Sequence, residues 1–312
     1  MNVYYTVQRT LMVVPTIMGI TMITFFLLKA LPGDPAYGLA GERADAEVIA
    51  RFSQEFGNNA SVAAQYVGYL KLLVRGEFGH SYYTNRRVAE DLAEKLPRTF
   101  QLACAALCVA AGCGIGIGVV MAVFRGRLID RCCLMLTATF IAMPVFWLGL
   151  LLMYVFCFVL KLLPPAGSDG GRLMFLVLPA STLGVHAAAS LARITRASMI
   201  DVLAQPYITT ARAKGLPAAG VILRHALKNA LIPVITMIGL DFGSFLNGAV
   251  LTETIFGWDG IGRYAVEGVF RRDYPVVLGC VLIGAVLFVV VNLVVDLTYA
   301  LCDPRIRHSK KM

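Results

Sequence analysis

Cys104 and Cys108 stand four residues apart, on one face of any helix that carries them, a spacing that could offer two thiolates to a soft metal. The more ordinary reading is a pair of small packing residues. His80, His186, His225 and His308 are scattered along the chain, so no His/Cys/carboxylate set has the spacing of a metal or catalytic centre. Asp241, Asp296 and His186 fall inside long apolar stretches, with Lys29 and Arg98 near stretch ends. Ionisable groups in such places mark ion or proton pathways, and so few are sparse for a proton-driven pump. His186 reads either as a ligand in a path or as a packed, hydrogen-bonded histidine. No Gly-x-x-x-x-Gly-Lys-Ser/Thr loop is present to cradle ATP phosphates, and neither a His-Glu-x-x-His nor a Gly-x-Ser-x-Gly motif occurs. The chain therefore reads as a conduit and not an enzyme. It has no catalytic residue, metal or cofactor of its own, and its energy comes from elsewhere.

The elements that must position such a conduit are apolar. Of 312 residues 58% are hydrophobic and 15% charged, with mean hydropathy +0.72. Soluble domains are nearer 45–50% apolar and about 25% charged, so a polytopic membrane protein is the class that fits. Six windows are long and apolar enough to cross a bilayer as helices: 11–31, 99–124, 132–160, 173–191, 230–251 and 276–299. The third is long enough to tilt or to bend at Pro144. The fourth is interrupted by Ser181, Thr182, His186 and Ser190. The first is too long for a secretory signal and runs into Leu31-Pro32-Gly33-Asp34-Pro35 without an Ala-x-Ala-like site, so it reads as a retained span. The fold class is all-α, a polytopic integral membrane protein with six transmembrane helices.

Six spans put both termini on one side. Segments 1–10, 125–131, 193–229 and 302–312 carry 14 Lys/Arg against 3 acids, a net of +11. Segments 32–97, 161–175 and 253–273 carry 12 against 14, a net of −2. The positive-inside rule places the first group, and both termini, in the cytoplasm. The overall +9 thus reflects topology and anionic lipid; no like-charge run or basic-aromatic stripe points to nucleic acid. Seven of the eight cysteines fall in spans and Cys302 lies on the cytoplasmic side, so no disulfide framework is expected.

Two connecting segments stand out. The external segment 32–97 is long and polar, with helix-like stretches around 44–56 and 62–73; it reads equally as a cap that docks a partner or as a connector. The cytoplasmic segment 193–229 carries six cations against Asp201. Within it, 207–215 reads as a short helix ended by Gly215, and 221–229 as a second short helix after Leu216-Pro217. This pair lies along the membrane surface, touching only lipid headgroups or serving as a handle for a cytoplasmic partner. Gly112, Gly114, Gly116 and Gly118 include two Gly-x-x-x-Gly pairs, and Gly239/Gly243 form another. Gly112/Gly116 and Gly239/Gly243 are candidates for close helix packing, within this chain or against another.

At 207–234 the sequence closely resembles the cytoplasmic signature of permease subunits of ATP-binding-cassette importers, Glu-Ala-Ala, three residues, Gly, then a hydrophobic-Pro step. Here it stands as Thr209-Thr210-Ala211, Gly215 and Ile232-Pro233. The Glu is absent, and Thr-Ala-Arg-Ala-Lys-Gly-Leu is similar to the peptide and nickel branch. Other stretches agree with that branch, and with its first permease subunit: 31–35, Gly76-Glu77-Phe78-Gly79, 191–199, 224–230, Glu253-Thr254-Ile255-Phe256-Gly257-Trp258, 272–277 and 303–307.

The resemblance implies a type I importer permease fold in a bacterial inner membrane. It also implies a second, related permease, two cytoplasmic ATPase subunits and an extracytoplasmic solute-binding protein. Tyr207, Thr209, Thr210, Ala211, Arg212, Lys214, Gly215 and Leu216 are then expected to enter a groove on the ATPase, supported by Arg224, His225, Asn229 and Pro233. The organisation that follows is residues 1–31 as N-terminus and first span, 32–97 as extracytoplasmic segment, and 98–312 as a five-helix core carrying 193–229. Short peptides are the expected substrates. Nickel or a nickel chelate is the alternative, disfavoured mildly by the lack of a metal-ligand cluster. An ion-driven secondary transporter is a third reading, without a visible inverted repeat.

Overall fold

The computed structural model describes residues 3–30, 61–167 and 173–302. Expected features at 31–60 and 303–312, including the helix-like stretch at 44–56, lie outside them. The described residues are mostly helical; residues 75–87 instead form turns joined by one antiparallel bridge, His80 to Arg87. The order is α1 (Val3–Ala30), α2 (Val62–Val74), α3 (Val88–Val123), α4 (Leu128–Ala142), α5 (Val145–Met153) and α6 (Leu173–Leu203). There follow α7 (Pro206–Ala213), α8 (Ala218–Gly220), α9 (Leu227–Gly248), α10 (Val250–Ile255), α11 (Ile261–Arg271) and α12 (Tyr274–Cys302). Five helices are individually long and apolar enough to span a membrane, and α4 with α5 forms a pair bent by 104°.

The core is built on α3 and α6. One face of α3 carries Ala103, Ala106, Ala110, Gly114 and Gly118, all buried. The facing side of α6 carries Ala180, Gly184, Ala188, Leu191, Ala192 and Thr195. A methyl group on Gly118 would lie 2.5 Å from Thr195 Cβ and 2.6 Å from the Ala192 carbonyl oxygen. At Gly114 it would meet Leu191 Cβ at 2.7 Å, and at Gly184 it would meet Val109 Cβ at 2.6 Å. Lipid tails are as apolar as leucine, so dispersion contact at close approach is what holds such helices together. The close pair in α3 is Gly114/Gly118, whereas Gly112 and Gly116 point to the opposite, exposed face with open space beside them. A two-residue offset turns a helix by about 200°, which is why the alternate pair of the same run makes the contact. In α9, Gly239 packs tightly on Val295 and Gly243 on Phe288 and Val291 of α12.

These contacts fix direction. Residues 106–118 of α3 meet 184–195 of α6 in rising order, so the two helices run parallel. Parallel neighbours need one return crossing between them. The α4–α5 pair supplies it, as one span broken at Met143-Pro144, giving six spans among the described residues. Pro144 lacks the N–H that would carry a helix through this point. α9 and α12 meet antiparallel, and Phe25 and Leu28 of α1 pack with Leu278 and Leu282 of α12. The bundle therefore has α1 starting and α12 ending at the end that holds α7. The opposite end holds α2, α10, α11 and the first turns of α3. The second span, expected to begin at residue 99, belongs to α3, which extends back through Pro97 to Val88, beyond the bilayer thickness.

Candidate coupling site

At the end where α3 and α6 finish and α9 begins, α7 lies across the helix ends. Gln205 is its extended N-cap and Pro206 its first residue, where a missing N–H costs nothing. Ile208 and Ala211 form its buried edge, packed with Ala122 of α3, Met199 of α6, and Val221, Ala226 and Ala230. A three-residue spacing puts these two on one face. The remaining positions turn outward. Tyr207 and Leu216 are each 42% exposed, and Thr209, Thr210, Arg212, Lys214 and Gly215 are exposed. The helix ends where the Gly215 amide donates to the Arg212 carbonyl at 3.0 Å. Gly215 takes φ +77°, a left-handed conformation that favours glycine, and among the described residues nothing beyond its own chain neighbours lies within 4 Å of where its side chain would start.

The supporting residues sit on the following element. From Pro217 the chain turns through α8 and a π-helical stretch, Val221–Ala226, straight into α9. The second short helix expected at 221–229 is thus the first turns of a span, with no break. Asn229 Nδ2 donates to the Tyr207 hydroxyl at 2.8 Å, and Ser198 donates to the Ala230 carbonyl at 2.9 Å. Arg224 is exposed and His225 half-buried, and Pro233 is taken inside α9. Beside this patch, Asp130 at the start of α4 receives Arg196 Nε and Nη2 at 2.7 and 2.8 Å and the Gly126 amide at 2.8 Å. The arrangement is a polar, cationic ledge with a hydrophobic underside, rigidly keyed to three spans. His186 lies within the spans, its Nδ1 3.1 Å from the Phe140 carbonyl oxygen.

Sequence reasoning missed a second cluster, at the opposite end. Glu253 is fully buried, and its carboxylate receives the Thr99 hydroxyl at 2.7 Å and the Arg263 amide at 3.0 Å. Thr99 in turn accepts from the Ile261 amide at 2.9 Å. The carboxylate therefore caps the N-terminus of α11 from a distance and ties it to α3. Burial pushes the Glu253 carboxyl above its usual range, while the Thr99 hydroxyl and the Arg263 and Gly262 amides pull it back down. Trp258 is buried alongside and donates to the Arg98 carbonyl at 3.0 Å. Lys95 and Arg98 both pair with Asp259, Tyr264 donates to Asp91 at 2.7 Å, and Ser81 donates to Asp273 at 2.6 Å. The stretches 253–258 and 272–277 had stood out only as matches to a branch. The readable signal for a cap was an acid followed by Gly260-x-Gly262 at the start of a helical pattern.

Comparison with known proteins accords with this architecture. Residues 114–308 match the family model for the binding-protein-dependent transport system inner membrane component. Residues 2–103 match the model for the N-terminal part of such membrane components. The glutathione transport system permease protein GsiC of Salmonella typhimurium strain LT2 is 41% identical over 305 residues, covering 98% of this chain and 99% of that protein. GsiC of Escherichia coli strain K12 is 40% identical over the same lengths. Among solved structures, an inward-facing form of the MetNI methionine ABC transporter matches at TM-score 0.56 and 16% identity, covering 68% of this chain and 96% of that one. That likeness is one of fold. The curated relatives are permease subunits, transport components and not enzymes. On both the family match and the relatives, this chain belongs to the inner-membrane components of binding-protein-dependent transport systems, the permease subunits of ABC importers.

Proposed function

We propose that this permease imports short peptides and that its α7 ledge is the handle through which ATPase subunits drive it. The observation that carries the reading is the docking of α7. Ile208 and Ala211 key it to the ends of α3, α6 and α9, while its polar face, Thr209, Thr210 and 212–216, is left uncovered. A push on such a helix is delivered to three spans at once. In this reading ATP-driven closure of two ATPase subunits displaces α7, and the spans rock between inward- and outward-open states. A second, related permease completes the path, and the end that carries α7 and both termini is cytoplasmic. Arg212, Lys214, Arg224 and Lys228 face acidic ATPase surface or lipid phosphate there. The opposite end, with α2 and α11, receives a solute-binding protein. The chain then divides into the first span (1–31), an extracytoplasmic segment (32–97) and a core (98–312) with its coupling segment at 193–229.

The curated relatives carry glutathione, a tripeptide, in their names, which favours peptides over nickel or a nickel chelate. The test is uptake into proteoliposomes that contain the assembled importer, with a radiolabelled dipeptide, glutathione and nickel(II) supplied with the binding protein. ATP-dependent accumulation of a peptide and none of nickel supports the reading. Accumulation of nickel alone overturns it, and uptake that follows an ion gradient without ATP removes the ATPase coupling as well.

A further inference from the structure

Asp241 is the one acidic residue in 218–246. It stands midway along the apolar stretch 230–251, and twelve residues beyond Asn229 place it about 18 Å up the helix from the coupling ledge. That is close to half the hydrocarbon thickness of roughly 30 Å. The faces of α9 are accounted for around it. Gly239 and Gly243 turn to α12, and Val234, Phe245 and Leu246 turn into the core. Leu240 and Ser244 are exposed, covered by nothing described in this chain. Asp241 sits on the border between the core and this uncovered strip. Its Oδ2 is buried and has no hydrogen-bond partner among the described residues.

A carboxylate at the midplane costs about 2.5–3.5 kcal/mol even by insertion scales, so it persists where water or a cation meets it. Lipid supplies neither. α9 also grows unbroken from the segment that carries Asn229, so displacement of α7 is transmitted along the helix that holds Asp241. We propose that Asp241 lines the translocation path and takes the ammonium group of the passing substrate. This rests on the peptide reading above, since a peptide with a free amino terminus is mostly an ammonium at about pH 7. A lone carboxylate has the geometry for an ammonium, whereas a transition-metal ion would need further donors beside it.

The test uses the complete importer in proteoliposomes, with Asp241→Asn and Asp241→Glu, and a dipeptide in free-amino and N-acetylated forms. Loss of one charge-assisted hydrogen bond predicts about tenfold slower uptake of the free-amino peptide in Asp241→Asn. Asp241→Glu recovers most of it. Uptake of the acetylated peptide is no lower in Asp241→Asn than in wild type, and subunit co-purification and binding-protein-stimulated ATPase activity are kept. Equal loss for both peptides, no loss for either, or separation of the two permeases in Asp241→Asn overturns the assignment; the last would make Asp241 the partner of a cation on the second permease. A wild-type importer that takes up no peptide fails the functional reading instead, before the variant is compared.

Discussion

Arg196 grips Asp130 through two parallel hydrogen bonds of 2.7 and 2.8 Å, joining the last turns of α6 to the first turn of α4 next to the α7 ledge. Asp130 is almost fully buried, and the Gly126 amide completes its coordination. The fork of the guanidinium matches the carboxylate in a way a lysine could not. The pair fixes where the broken span α4–α5 leaves the bundle.

Removing one partner strands the other. Arg196→Ala leaves a buried carboxylate without its counter-charge and should cost about 3 kcal/mol. Replacing both residues, as Asp130→Leu with Arg196→Met, should recover most of that loss. Thermal unfolding in detergent checks this. A double variant no more stable than Arg196→Ala would show that the pair is not what holds α4.

Gly118 and Gly116 differ in sequence position by two and in surroundings completely. Gly118→Ala forces α3 away from Thr195 and the Ala192 carbonyl and should destabilise by roughly 1–3 kcal/mol. Gly116→Ala meets open space and should be neutral or gain up to about 1 kcal/mol from helix propensity. Melting curves of the isolated subunit distinguish them. Equal losses would mean that α3 packs through both faces.

Glu253 should give the end of the bundle that holds α10 and α11 a pH dependence. Its folded pKa lies above the unfolded one because burial outweighs the hydrogen bonds to the carboxylate. Its contribution is thus fully present below the ordinary glutamate range, near 4.3, and is lost as pH rises through the raised value. Glu253→Gln removes this titration but leaves an amide N–H₂ facing either Thr99 or the Arg263 amide. The variant should be less stable than wild type at about pH 4, with the gap narrowing as pH rises above the ordinary glutamate range. Unfolding midpoints from about pH 4 upward are the measurement, and a gap that widens with pH would contradict the assignment.

The six spans were legible because 20-residue apolar windows are long-range averages that local detail does not erase. The bend at Pro144 was legible for the opposite reason, since a missing N–H is a local fact. α7 was legible from Gly215 and its flanking cations. Which glycine pair of 112–118 makes the close approach was not, because both pairs have the same spacing and only the partner helix decides between them. The Glu253 cap was hidden because its partners, Thr99 and the Arg263 amide, are distant or belong to the backbone. The continuity of 221–229 with α9 was also missed. Leu216-Pro217 signals a restart, but nothing in the following residues announces that the restarted helix runs on into the membrane.

The central claim is that α7 transmits ATPase motion, and Gly215 separates that role from folding. A Cβ there meets nothing among the described residues, so the internal cost is that of the left-handed backbone, roughly 1–2 kcal/mol. Asn tolerates that conformation and serves as the control. The decisive measurement is peptide uptake together with binding-protein-stimulated ATP hydrolysis in proteoliposomes carrying wild type, Gly215→Asn or Gly215→Glu. The expected result is a Gly215→Glu permease that inserts and assembles with its second permease yet shows neither uptake nor stimulated hydrolysis, while Gly215→Asn retains both. Full uptake and full stimulation in Gly215→Glu would contradict it.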